Sequence, residues 1–536
     1  MEGKKIKGLS RREFLKKAGV VTIGSVGIAS AVNLAACTTP EESEPEELEN
    51  EPETLPTDSI NWDKEVDVVV VGYGGAGSVT AITAHDNGAE VLVIEKLARP
   101  GGNTSISGGG ILTPNNLQQA ITYFRGLYEL SKSTYDEAIM LRYAEDAMGN
   151  VEWVQKLKPG TELTRYGGAG FEDIPGSESM DKFMIRAEGK TASQALFEIL
   201  SEAVEQVRGI EVLLECPGKR LITDTEGAVI GVIANNKGTE IKIKARRGVV
   251  LTTGGYEFDQ DMLRNNVKGY PIIASGCPGN TGDGVRMAQK VGAGLWHMNG
   301  ASCGMGTKVE GFEPGFSVAG GASRPNFIWV DNDGHRFIDE TNVESHAGLL
   351  VVDWYDHEEL KYPRIPFYFI CDENRRKQSA MGSAGGWNRG AYSWSTDNTA
   401  EIDKGWIKKG ETLAELASVI NVDGNNLAAS VAEWNAAVAA GVDKLHGRAA
   451  LGTVIEPPFY AIEMHPMLLN TQGGPQRNVK GQIVDPFGEP IPRLYSAGEL
   501  GCMWGMIYQG AGNIGECIVY GKISGANVAA ETPWDA

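Results

Sequence analysis

Short apolar runs cut off by glycine dominate the chain from residue 60 onwards. Residues 66–71, 90–94, 248–251 and 494–496 are brief and rich in Val, Leu and Ile. Such runs predict strands buried on both faces, as in a parallel sheet. Helix-compatible stretches fall at 78–87 and across 117–207. Residues 37–60 differ, being Glu, Pro, Ser and Thr with almost nothing apolar. They bury too little to offset the entropy of ordering and read as an acidic, extended tether.

The turn after 66–71 is Gly72-Tyr73-Gly74-Gly75-Ala76-Gly77, and the next strand ends in Glu95-Lys96. This is a βαβ unit with G-x-G-x-x-G at its first turn and an acid 18 residues past the last glycine. Gly72 permits the tight turn, Gly74 lets backbone approach a pyrophosphate, and Gly77 lets helix and strand pack closely. The pyrophosphate then sits on a helix N-terminus, where free N–H groups and the dipole favour an anion. Glu95 is placed to accept hydrogen bonds from the adenosine ribose. The motif in this context predicts a dinucleotide site.

A second small-residue loop follows, Gly101-Gly102-Asn103-Thr104-Ser105-Ile106-Ser107-Gly108-Gly109-Gly110. NAD enzymes need no such loop there, whereas a large flat isoalloxazine needs backbone close along its length. Further on come Thr252-Thr253-Gly254-Gly255 and then Asn280-Thr281-Gly282-Asp283-Gly284, which opens a helix. Asp283 is expected at the flavin ribityl chain. Leu494-Tyr495-Ser496-Ala497-Gly498-Glu499 is one more strand ending in glycine and acid. Glycine-rich strand ends so far apart imply one long cofactor touched from several sides, which is FAD.

Length changes this picture little: 536 residues call for two packed domains. A net charge of −21 excludes nucleic acid as a partner. Of Cys37, Cys216, Cys277, Cys303, Cys371, Cys502 and Cys517, none forms a C-x-x-C pair. No metal site, iron–sulfur relay or attached haem is expected.

Residues 10–16, Ser-Arg-Arg-Glu-Phe-Leu-Lys, carry a twin-arginine export signature, followed by a weakly apolar stretch to Ala36. Leu34-Ala35-Ala36-Cys37 resembles a bacterial lipoprotein cleavage box. The expectation is a signal peptide over 1–36, a lipid anchor on Cys37, and an enzyme tethered at the extracytoplasmic face of the cell membrane.

Together these motifs resemble one FAD-dependent superfamily, that of soluble fumarate reductases, urocanate reductase-like enzymes and 3-ketosteroid Δ1-dehydrogenases. Gly334-His335-Arg336-Phe337-Ile338-Asp339-Glu340 adds a likeness to the family's G-x-R-F-x-N-E. The resemblance implies an α/β fold: a Rossmann-like FAD-binding domain with a parallel sheet and an inserted α+β cap. It places the FAD domain at 61–290 (with a helical excursion at 117–207) and 465–536, and the cap at 291–464. No histidine lies in the 101–110 loop, where membrane-bound members attach flavin, so non-covalent FAD is implied.

The substrate end departs from fumarate reductase. Where that family has cations and histidines, this chain has Glu344, Gln509, Asn470 and a region near Trp504. A dicarboxylate needs fixed cations, so fumarate is disfavoured. The same segments resemble the ketosteroid dehydrogenases instead, in residues 107–116 and in Tyr508-Gln509-Gly510-Ala511-Gly512-Asn513-Ile514-Gly515. That resemblance implies the Tyr508 hydroxyl and the Gly512 N–H as holders of a substrate carbonyl oxygen, with Asn513 and Ile514 at the flavin. The proton-transfer group is Glu344, its carboxyl raised by burial, or His346, with Tyr123 a further candidate. Met503, Trp504, Met506 and Ile507 either suit a flat apolar substrate or belong to the core. The expected activity is hydride transfer between flavin N5 and a C=C bond conjugated to a carbonyl. A membrane quinol or cytochrome is the expected electron partner. A ketosteroid desaturase and a non-catalytic electron carrier are the alternatives, and the carrier would show no substrate cavity.

Overall fold

Val71, Ile94, Leu251 and Ser496 stand in one row across a sheet, side by side at the ends of four parallel strands. In this computed structural model, which describes residues 60–535, the row belongs to the strands Lys64–Val71, Val91–Ile94, Thr239–Leu251 and Pro490–Ser496. The sheet runs Gln482–Val484, Pro490–Ser496, Thr239–Leu251, Lys64–Val71, Val91–Ile94, Glu211–Leu213, and all neighbours but the first pair are parallel. Val68, Val69 and Val70 are fully buried, which is why these runs lack polar alternation.

The helix Gly75–Asp86 follows the first strand, starting three residues before the expected 78 because Gly75 to Gly77 already take helical backbone. The last helix, Gly512–Ala530, lies against it through glycines. A Cβ on Gly521 would stand 2.7 Å from Val79 Cβ, and one on Gly525 would stand 2.7 Å from the Thr80 carbonyl oxygen.

A second sheet carries the cap. It orders Ile328–Val330, Phe367–Asp372, Phe459–Thr471, Ala301–Thr307, Phe316–Val318 and Gly382–Ser383. Ile273–Ala274 pairs with the same long strand, so this sheet reaches outside 291–464 at both ends, and position 464 falls inside Phe459–Thr471.

The excursion at 117–207 is not purely helical. Four α-helices are joined by Leu163–Gly167 and Met180–Ile185, which form a three-stranded sheet with Ile111–Pro114. Met180–Ile185 gains one of its two partners, Ile111–Pro114, from outside the excursion, so local pattern does not reveal the sheet. The expected signal peptide over 1–36, the anchor on Cys37 and the tether up to residue 59 lie outside the described residues. Ile60, assigned to the tether, is buried with Ile222, Ile230 and Ile233. Among the described residues no helix is long and apolar enough to cross a membrane.

Candidate active site

The row of strand ends opens into a cleft, at the place where parallel α/β sheets hold ligands. Gly72 turns there with φ of +108°, and a Cβ on it would stand 2.5 Å from the Thr252 carbonyl oxygen. A Cβ on Gly77 would stand 2.0 Å from the Gly72 carbonyl oxygen, so this glycine serves helix–strand packing and does not line the cleft. Glu95 accepts the N–H groups of Tyr73 and Leu97, each at 2.8 Å, which fixes its carboxylate at the cleft edge. Burial pushes that carboxyl up against the pull of these N–H groups. Lys96 donates to Thr281 Oγ1 at 2.6 Å and pairs with Asp283 at 2.9 Å. Asp283 therefore stands beside Lys96 in the lining of the cleft.

Two adjoining cavities test the cofactor. The first, of about 780 Å³, is lined by Gly72, Gly74, Ala76, Glu95, Lys96, Gly254 and Asp283 among others. The second, of about 1330 Å³, takes in Gly108, Gly109, Asn513 and Ile514. Asn103, Thr104, Glu499 and Cys517 line both, so the two cavities adjoin at these residues. Gly74 and Gly102 face open room: a Cβ on either would find no protein atom closer than 3.8 Å. The buried Asn513 Oδ1 has no protein partner and awaits a donor. An elongated cleft with a fixed carboxylate at its edge, a glycine-lined middle and an unpaired acceptor beyond it fits FAD, held without a covalent bond.

Where the cavities adjoin, three segments far apart in the chain meet in a polar hub. Asn103 Nδ2 donates to Glu257 Oε1 at 2.8 Å and to Glu499 Oε2 at 3.0 Å, while its Oδ1 accepts the Cys277 N–H at 2.7 Å. A Cβ on Gly255 would stand 2.4 Å from Glu499 Oε1 and 3.0 Å from Glu257 Oε2. Gly255 is thus a packing glycine under the acids, while Gly254 turns with φ of +71° beside Asn280. Glu257 Oε2 has no donor. Two buried carboxyls meeting there cannot both ionise. Burial, and for Glu499 the facing charge of Glu257, pushes both up, so the pair retains a proton.

At the far end, Tyr508, Gly510 and His346 line the second cavity with Asn470 and the cap residue Ser302. The Tyr508 hydroxyl accepts the Asn513 N–H at 3.1 Å, which leaves its own proton to give. Burial pushes this phenol up, so it keeps its proton. His346 meets Tyr508 edge to face, with ring centroids 5.1 Å apart. Glu344 stands behind His346 and does not line the cavity. Burial pushes the Glu344 carboxyl up, but the His346 ring and N–H outweigh it and leave it below the ordinary range. The raised carboxyl expected for Glu344 is thereby corrected, because its partner favours the ionised form.

Gly512 is a second correction. Its N–H closes a turn onto the Gln509 carbonyl at 2.9 Å, and its own carbonyl accepts from Tyr143 at 3.1 Å, so it has no free donor to offer. Gly510 and Ala511 line the cavity instead, with Ala511 in the left-handed region at φ +72°. Gln509, fully buried, accepts the Gly170 N–H at 3.0 Å and the Tyr123 hydroxyl. Tyr123 thus clamps a loop and leaves the cavity to others. Met503 and Trp504 are core, and Met506 and Ile507 do not line the cavity. Tyr166 and Lys182, from the unforeseen strands, do line it.

Fold and site together define an FAD-dependent oxidoreductase of the α/β class, with a Rossmann-like FAD-binding domain and an inserted α+β cap. Residues 67–514 match the FAD binding domain family, to which the chain belongs. It is 28% identical over 579 residues to digoxin reductase from Eggerthella lenta, across 99% of this chain and 98% of that protein. It is 29% identical to urocanate reductase of the same organism, across 89% of this chain and 76% of that one. Among solved structures, 3-ketosteroid Δ1-dehydrogenase from Sterolibacterium denitrificans matches with a TM-score of 0.75 and 23% identity, across 87% of this chain and 100% of that chain. This last likeness speaks to the fold alone.

Proposed function

We propose that the enzyme reduces a carbon–carbon double bond conjugated to a carbonyl group. The observation that carries this is the Tyr508 hydroxyl at the cavity, its oxygen engaged by Asn513 and its proton free. Bound FAD supplies the two-electron hydride chemistry. The hydride reaches the β-carbon and a proton reaches the α-carbon, so C=C becomes CH–CH. Negative charge develops meanwhile on the carbonyl oxygen, and a preset donor such as Tyr508 stabilises it by roughly 2.7–4 kcal/mol. His346, facing the cavity with Glu344 behind it, delivers the α-proton. The relatives' names, digoxin reductase and urocanate reductase, support the reductive direction. That this cavity runs on past the glycine-lined stretch to Ser302, His346 and Tyr508 speaks against a pure electron carrier.

The reading extends to location: export by the twin-arginine route, a lipid on Cys37, and electrons from a membrane quinol or cytochrome. Residues 10–16 and 34–37 support it. A Cys37→Ser variant found still membrane-bound would count against the anchor.

The test of activity is anaerobic. The FAD-loaded enzyme is reduced, mixed with unsaturated carboxylates, amides and enones, and followed by flavin reoxidation. Rapid reoxidation abolished in Tyr508→Phe is the expected result. An enzyme that no unsaturated acceptor reoxidises would sink the proposal.

A further inference from the structure

Lys182 is a cation of the substrate cavity with no carboxylate paired to it. It sits on Met180–Ile185, opposite Leu112 on one side and Gly167 on the other. Its ammonium stands 5.8 Å from the centroid of the Tyr166 ring. Among the described residues it makes no ion pair and no hydrogen bond. Tyr166 carries the line onward, because its hydroxyl stands 2.1 Å from where a Gly110 Cβ would be, and Ala511 Cβ 3.1 Å from the same point. Lys182, Tyr166 and the Gly510–Ala511 turn therefore share one wall.

The charge of the lining follows from its other members. His346 is engaged by Glu344, and Glu499 shares a proton with Glu257. Burial holds Tyr166, Tyr508 and Cys517 in their neutral forms. Lys182 thus supplies the cavity's single unmatched charge. Burial also pushes its ammonium down, against the pull of Glu344 and Glu172. A closing substrate must bring the counter-charge or leave that ammonium unpaired.

We propose that Lys182 determines substrate specificity by binding a single carboxylate of the substrate, so that the enzyme prefers mono-anionic unsaturated acids to neutral enones. This rests on the reductase reading above. It also accounts for the cavity carrying one cation free of a carboxylate where a dicarboxylate would require two.

The experiment uses the intact FAD-loaded enzyme, reduced anaerobically and mixed with trans-cinnamate, urocanate and acrylate, their amides, and 4-androstene-3,17-dione. Wild type is expected to favour the acids. In Lys182→Gln the KM for an acid should rise about tenfold or more, from loss of a charged hydrogen bond. Its kcat and the KM for the amide should stay in place, and Lys182→Arg should restore the acid. Unchanged flavin content shows that the variants fold. If amides or the steroid match the acids in wild type, or Lys182→Gln leaves the acid KM unmoved, the assignment of Lys182 is wrong while the reductase reading stands. If no compound reoxidises the flavin, the reductase reading fails and the assignment falls with it.

Discussion

His346 Nδ1 stands 2.9 Å from Glu344 Oε1, and Glu344 Oε2 accepts the backbone N–H of the same histidine at 2.7 Å. One carboxylate thus holds both the ring and the chain of its neighbour. With Nδ1 so engaged, Nε2 is the nitrogen left to serve the cavity. His346→Gln should cost about 10²-fold in kcat with FAD content unchanged, the lower end for a lost general acid. Single-turnover reoxidation of the reduced flavin reads this directly.

The same pair has a stability signature. Glu344 has a folded pKa below its ordinary value, so its contribution is present above the ordinary carboxylate range and is lost as pH falls through the folded value. Glu344→Gln should melt below wild type near pH 6, with the gap closing toward about pH 3. A gap constant across that window would mean the pairing does not exist in solution.

Tyr508→Phe removes the hydroxyl and leaves the ring that packs on His346 and Trp504. Loss of one such donor typically costs about 10²–10³ in kcat. Substrate affinity and the flavin spectrum should change little. A variant with near-normal kcat would show that Tyr508 is only a packing residue.

Gly74 and Gly77 are two glycines of one motif with different tasks. Gly74 has ordinary φ and open room, so Gly74→Ala should fold normally and hold FAD at least about tenfold more weakly, because the new methyl occupies the ligand's side of the cleft. Gly77→Ala should instead lower the melting temperature of apoprotein and holoprotein alike, since a Cβ there meets backbone at 2.0 Å. Flavin titration and thermal melts separate the two.

Glu257 and Glu499 predict the opposite pH response to Glu344. Folded values raised above ordinary mean a contribution fully present below the ordinary carboxylate range and lost as pH rises through the folded values. Wild type should therefore lose stability from acid pH toward neutrality and above. Glu257→Gln, whose amide can donate to Glu499 and still accept from Asn103 and Asn280, should flatten that slope. Melting temperature against pH, measured with FAD bound, is the check.

The cofactor half of the site was legible because its signals are local. Gly72 must turn with positive φ, and Glu95 must end the second strand, so spacing along the chain carries the information. Asn103 and Glu499 stood out for the same reason, each following glycine at a strand end or loop. Their meeting point was not legible. Glu257 came from a third segment, with only its place after Gly254-Gly255 to mark it.

In the substrate half residue type misleads, because the partners each group meets in the fold decide what it does. Gly512 has the right position in its motif, yet its N–H is spent on a turn. Glu344 was expected to respond to burial alone, and the histidine two residues on reversed the direction. Lys182 and Tyr166 had no motif at all.

By itself the sequence determined that strands ending in glycine and acid would cradle a dinucleotide, because turn geometry and strand burial depend on near neighbours. Only the tertiary structure decided which side chains face the substrate. Met180–Ile185 pairs with Ile111–Pro114 across some seventy residues, and Lys182, opposite Leu112 in that pairing, lines the cavity. Long-range register sets the direction of a side chain, and no local pattern records it.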